Sequence, residues 1–370
     1  LYSEVDNPER SNAAILIFAP LSHGLCHLQP EVGTKVRDTL LAIFNKHERE
    51  SNLAGCYLLF FAAHLFEHEP DTQPEPSQVY QILAPLLREE DTIVRKRANK
   101  AYRVLLDSEL LLDDGILKEF LKSFETFPKE YYPEFFKILS CYVIPHDDED
   151  EEEDEEPNLS IIEPIVDFTK THMKSEDPLL RSLCLDLMSD LGYKDFCYIE
   201  DDVEESLAVS EQLIKDQSVN TYIYIANLLE TLADKYPNGK ARIEQIVPVI
   251  VEQVTQPNND QVGTLKQRID CVTQLASITH KGLSNNQVPQ LASYCLRELQ
   301  AQPDYKIVVR LCNPIHWINN TMGEQNAIEM FKLLTEAFKT IEDQELCEDI
   351  AISSLDPFIK NYNIPEELVY

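Results

Sequence analysis

The stretch His64-Leu-Phe-Glu67-His68 sets two imidazoles one helical turn apart with a carboxylate beside them. On a helix, His64 and His68 could share a zinc ion while Glu67 serves as general base, the inverted H-x-x-E-H arrangement of metal-assisted hydrolysis. Such a site also draws a carboxylate ligand from far downstream, near position 144, where the sequence reads Val143-Ile144-Pro145. It would also need β-strands, and no sustained strand pattern is found. The expectation is therefore no catalytic metal: His64, Glu67 and His68 form the polar end of an apolar helix that stops before Pro70. His23, Cys26 and His27 form a second cluster without a fourth ligand at matching spacing. Nine glycines in 370 residues, against a usual share of ~7%, include no G-x-G-x-x-G, no G-x-x-x-x-G-K-[ST] and no G-x-S-x-G. Phosphate cradles and nucleophile elbows need glycine in those groupings. The chain is expected to be non-enzymatic and to carry no cofactor.

What must position any site is helical. Short strand-like runs, 246–251 and 306–309, each continue into a 3.6-residue pattern. Pro, Asn and Gly clusters such as Tyr236-Pro-Asn-Gly239 punctuate the chain at intervals that leave room for helices of ordinary length. The longest near-apolar run, Leu53 to Phe66, is too short to cross a bilayer and reads as a buried helix. Nine cysteines form no C-x-x-C, and several sit in apolar helical stretches as small hydrophobes. This favours a reducing compartment, cytoplasmic and/or nuclear.

The helices repeat. Asp91 precedes Val94-Arg95, Asp177 precedes Leu180-Arg181, and Asp304 precedes Val309-Arg310, while Arg268 opens a similar helix without an Asp at that offset. The four arginines lie 86, 87 and 42 residues apart, so a unit of about 43 residues is written twice in each long interval. The missing phases fall near Lys137 and Tyr224, and extrapolation reaches Asn52 and the stretch 349–359. Pro85, Pro164, Pro248 and Pro289 fall in or near the first helix of their units, where a proline bends a helix by removing a backbone bond.

A bent first helix, an Asp in the turn, then an Arg opening the second helix, resembles the HEAT repeat, with armadillo-like variation in the less regular units. The resemblance implies an all-α fold, a right-handed α-solenoid of stacked antiparallel hairpins, about eight units in all. Residues 1–145 would form N-terminal units, 146–157 an acidic disordered loop, and 158–370 C-terminal units of one continuous solenoid. A lone hairpin cannot bury its apolar face, whereas stacked hairpins make one core. Asp91, Asp177 and Asp304 would cap second helices, and Arg95, Arg181, Arg268 and Arg310 would stand at repeat junctions, reaching a neighbouring unit's turn. In this family second helices line the concave face, which implicates Tyr224, Asn313 and Trp317 as partner contacts, a lone tryptophan being a natural anchor.

Formal net charge is −33, a field that repels nucleic acid and favours basic protein segments. Its densest part is a run of ten carboxylates: Asp147, Asp148, Glu149, Asp150, Glu151, Glu152, Glu153, Asp154, Glu155 and Glu156. Repulsion at i,i+4 opposes a helix there. Neighbouring charges are closer than a Debye length of about 8 Å, so salt screens them poorly. The run is expected to be an extended loop that engages basic segments. One helix, 94–103, is basic: Arg95, Lys96, Arg97, Lys100 and Arg103. It reads as a solvated face carrying the repeat arginine, with docking of an acidic partner as the alternative. Acidic loops also occur in HEAT proteins of the nuclear import receptor class. The functional expectation is a protein-binding scaffold or adaptor, with cargo binding in nuclear transport as the leading specific form. The alternative is a scaffold subunit of a phosphatase, ubiquitin ligase or chromatin complex. Direct nucleic-acid binding and membrane insertion are not expected.

Overall fold

The computed structural model describes residues 76–107, 111–144, 158–193, 200–216, 221–257, 263–301, 303–339 and 354–369. His23, Cys26, His27, His64, Glu67, His68 and the acidic run 147–156 lie outside the described residues. The protein is all-α, and no strand occurs among the described residues. The strand-like runs 246–251 and 306–309 are both helical. Among the described residues no helix is long and apolar enough to cross a membrane.

The chain divides into two compact units that part between Lys170 and Thr171. The first contains α1 (Pro76–Leu86), α2 (Thr92–Asp107), α3 (Asp114–Ser123) and α4 (Tyr132–Val143). The next helix, α5 (Leu159–His172), spans the division. Then follow α6 (Pro178–Tyr193), α7 (Glu200–Lys215), α8 (Tyr222–Lys235), α9 (Lys240–Thr255), α10 (Leu265–His280), α11 (Val288–Gln300), α12 (Tyr305–Ile318) and α13 (Glu324–Phe338). Residues 354–361 are also helical.

Local chemistry sets these boundaries. Asp113 caps α3 by accepting from the Ile116 amide at 2.9 Å, and Asp304 caps α12 through the Ile307 amide at 3.1 Å. Thr264 and Gln267 close a reciprocal capping box on α10. Each satisfies amides that the first turn leaves without a partner. Pro85, Pro164 and Pro248 sit inside α1, α5 and α9, and Pro289 opens α11, where its missing N–H costs nothing. Gly282 (φ 88°) and Gly323 (φ 86°) supply the left-handed backbone that turns the chain out of α10 and into α13.

Packing alternates. In the first unit α1 packs on α3 and α2 on α4. In the second, α6, α8, α10 and α12 each pack on the next of that set, and α7, α9, α11 and α13 do the same. Helices of the α6–α12 row run the same way, since contacts advance together along each pair: Asp186 with Asn227 and then Ser189 with Thr231, Cys271 with Tyr222 and then Ser277 with Glu230, Asp270 with Arg310 and then His280 with Trp317. The core lies between the rows. In the first unit it is aromatic: Phe135 is fully buried and stacks on Phe120 at 4.3 Å, with Phe124, Phe127 and Phe168 packed around it. In the second it is mainly aliphatic, with Leu229, Ile250, Leu275 and Leu291 fully buried.

Candidate functional site

The arginines singled out by spacing take three different positions. Arg95 is 6% exposed, donates to the Glu89 carbonyl at 2.8 Å and lies 3.5 Å from the centre of the Tyr131 ring, just before α4. Its amide closes the first turn onto the Asp91 carbonyl. Arg181 donates to Asp216, which follows α7, at 3.0 Å, while Asp177 accepts from the Leu179 amide at 3.0 Å. Arg268, 8% exposed, donates to the carbonyls of Val254 (2.9 Å) and Gln256 (2.6 Å), and Arg297 from α11 takes the Thr255 carbonyl between them at 3.0 Å. Carbonyls at the end of a helix have no intrahelical donor and carry its negative pole, so cations seat there. Arg310 pairs with Asp270 on the preceding helix of its row at 2.5 Å.

The expectation that all four reach a neighbouring unit's turn is thus corrected for two. Arg268 folds back onto the turn of its own hairpin, where the carbonyls at the end of α9 have no intrahelical donor. Arg310 turns to a carboxylate instead. Arg95 does both, bonding backward and stacking forward. The missing Asp before Arg268 has a substitute at the same offset of four residues: Thr264, a hydroxyl cap, occupies the place that Asp91 and Asp177 hold before their arginines. Reading the turn for any capping residue, and not Asp alone, finds it.

A line of polar contacts joins successive helices of the α6–α12 row. Asn227 donates to Asp186 at 2.8 Å, and the hydroxyls of Ser189 and Thr231 meet at 2.8 Å. Ser277 donates to Glu230 at 3.0 Å, and Lys281 bridges Glu230 (2.5 Å) and Asp234 (2.8 Å). Arg310 and Asp270 continue the line. Partial burial alone would lower the Lys281 pKa, but hydrogen bonds to Asp234 and Glu230 outweigh it and the ammonium is held above its usual value. The contacting side chains lie about 40 to 50 residues apart in sequence, and no local motif announces them.

The residues expected to touch a partner do not cluster. Tyr224 is half-buried on α8, its phenol pKa raised by burial first and then by the charge of Asp186. Asn313 is exposed and Trp317 half-buried, one turn apart on α12, two helices further along the row. The Trp317 ring lies 5.1 Å from His280 and 5.3 Å from His316. Asn313 shares a surface groove with Asp304 and Arg310. In the basic helix the cations divide: Lys96 and Lys100 are exposed, Arg95 is buried, and Arg103 donates to the Cys141 sulfur at 3.1 Å. Among the described residues no group of three His, Cys, Asp or Glu side chains is placed to hold a metal ion. Burial raises the thiol pKa of Cys184 and Cys271, and Cys295 is pushed up to about 12, so these sulfurs are protonated packing groups at neutral pH.

No protein-family model matches the chain, and no curated protein matches it. Among solved structures, the crystal structure of an engineered protein from a structural genomics consortium is similar with a TM-score of 0.41 and 13% identity, over 95% of this chain and 96% of that one. A likeness that distant bears on neither function nor fold.

Proposed function

We propose that this chain is a non-catalytic, HEAT-like protein-binding scaffold or adaptor of the cytoplasm or nucleus. In this reading about eight hairpins form a right-handed α-solenoid whose second helices present a binding face. The observation that carries it is the same-direction packing of α6, α8, α10 and α12. In this reading one side of each helix is buried in the core, and half-buried Tyr224, exposed Asn313 and half-buried Trp317 belong to the binding side. An enclosed catalytic pocket is not what such packing builds, whereas a repeating face suits an extended partner. The run Asp147–Glu156 adds a tethered polyanion for basic segments. Cargo binding in nuclear transport is the specific form we favour, and a scaffold subunit of a larger complex is the alternative.

The reading is tested by titrating a labelled Lys/Arg-rich peptide into the full chain and into a chain lacking 147–156, alongside small-angle scattering. Expected are an elongated particle and binding that weakens at least tenfold on deletion. A compact particle, or equal binding by both chains, would overturn it.

A further inference from the structure

A surface groove of ≈ 640 Å³ lies between the first turns of α10 and α12. Lys266 from α10 lines it together with Lys306, Arg310 and Asn313 from α12. Three cations thus line one groove in a chain with 65 acidic and only 32 basic residues. The groove's own carboxylate, Asp304, is engaged as the cap of α12, accepting from the Ile307 amide. Arg310 is held by Asp270, which fixes the guanidinium while leaving further N–H groups to donate. Both lysines are exposed. Both helices also direct the positive ends of their dipoles to this edge, since they run the same way and Lys266 and Lys306 are each the second residue of its helix. Beside the charges stands Tyr305, 46% exposed and among the most exposed large hydrophobic residues described, with the Lys306 ammonium 5.9 Å from its ring centre.

The geometry points to a docking site for an acidic linear segment of a partner protein, its carboxylates set on Lys266, Lys306 and Arg310 and an apolar side chain on Tyr305 and Val309. The groove is open and mixed in polarity, unlike the enclosed apolar pockets that take small ligands. Clustered cations with an adjacent aromatic are how folded domains take acidic motifs. The inference rests on the scaffold reading and adds to it. A partner of this face would present negative charge at α10 and α12, opposite in sign to what the run 147–156 would take.

The test is fluorescence anisotropy with a labelled Asp/Glu-rich peptide containing one Phe, titrated with the full chain at 0.1 M salt. The double variant Lys266→Glu/Lys306→Glu is expected to weaken binding at least tenfold. The control pair Lys215→Glu/Lys332→Glu makes the same change in net charge at exposed sites elsewhere and is expected to change it less than threefold. Circular dichroism verifies that both fold. Equal loss in the two pairs, or no loss in the first, overturns the proposal. So does binding that appears only after deletion of 147–156, which would make the chain's own acidic run the occupant, or tighter capture of a single-stranded oligonucleotide than of the peptide. Titration with the Lys/Arg-rich peptide separates the two readings: it stays unchanged in Lys266→Glu/Lys306→Glu if only the groove fails, and is absent from the parent chain if the scaffold reading itself fails.

Discussion

In the first unit α2 is joined to α4 by a buried pair of phenols, Tyr102 and Tyr142, whose hydroxyls meet at 2.9 Å above a stack of phenylalanines. In the second, α6 and α8 share one buried hydroxyl pair, Ser189 with Thr231, and the other polar joints of the row are partly buried charged and amide groups: Asp186 with Asn227, Lys281 with Glu230 and Asp234, Arg310 with Asp270. The helix-on-helix register is alike in both, but the physics of the joint differs. A buried neutral pair is indifferent to salt, and its cost when broken is set by desolvation. Ion pairs that keep contact with solvent are partly screened and worth less than their Coulomb attraction alone. What they offer is polarity outside the core, which the proposed binding face would use and an aromatic core does not.

The comparison can be broken most severely from the aromatic side. Phe135→Ala removes the centre of the phenylalanine stack and is expected to cost ~3–5 kcal/mol, read from a urea titration of the full chain. In the second unit the largest polar effect should come from Arg268→Met, which strips the Val254 and Gln256 carbonyls of a buried charged donor. We expect ~2–3 kcal/mol, above the loss for Arg310→Met, whose half-buried pair leaves Asp270 still in contact with solvent.

Alkaline pH separates the units further. Burial pushes the Cys312 thiol up to about 11 and Cys295 to about 12, from an ordinary 9.0. A raised native pKa means that the folded chain keeps protons the unfolded chain releases, so stability is complete below pH 9 and is lost as pH climbs toward 11 and 12. Each such thiol should cost ~1.4 kcal/mol per pH unit within that window, and Cys295→Ala should flatten the decline by that amount. In the first unit Tyr80, pushed to about 12, and Tyr102, raised well above its usual value by burial, start one unit later, from 10.0. Urea midpoints between pH 8 and 11 would show the order.

The finest test pits one joint against the other. Tyr102→Phe is expected to cost ~1 kcal/mol, equally in 0.1 and 1 M NaCl. Lys281→Met is expected to cost ~0.5–1 kcal/mol in 0.1 M NaCl and roughly half that in 1 M. Equal salt sensitivity in the two variants would erase the distinction.

Much of the frame was legible because it is local. Asp304 is followed by the α12 that it caps, Pro85 and Pro248 sit inside first helices, and the 3.6-residue pattern overrode the strand-like look of 246–251. Thr264 was equally readable but was missed by looking for Asp. The direction each arginine takes was not readable: Arg181 finds Asp216 35 residues ahead, while Arg268 finds Gln256 12 residues behind. Nothing in the one-turn neighbourhood of either residue distinguishes them. Nor was the groove foreseen. Lys266 and Lys306 are each an ordinary surface lysine in sequence, and become a pair only because α10 and α12 run side by side.

The amino-acid sequence by itself determined where helices start, bend and stop, and that their apolar sides repeat, since caps, prolines and periodicity act within a turn or two of the chain. Tertiary structure alone decided which charges meet, because burial and helix register set those distances. A separation of some forty residues along the chain leaves the partner open until the rows have packed.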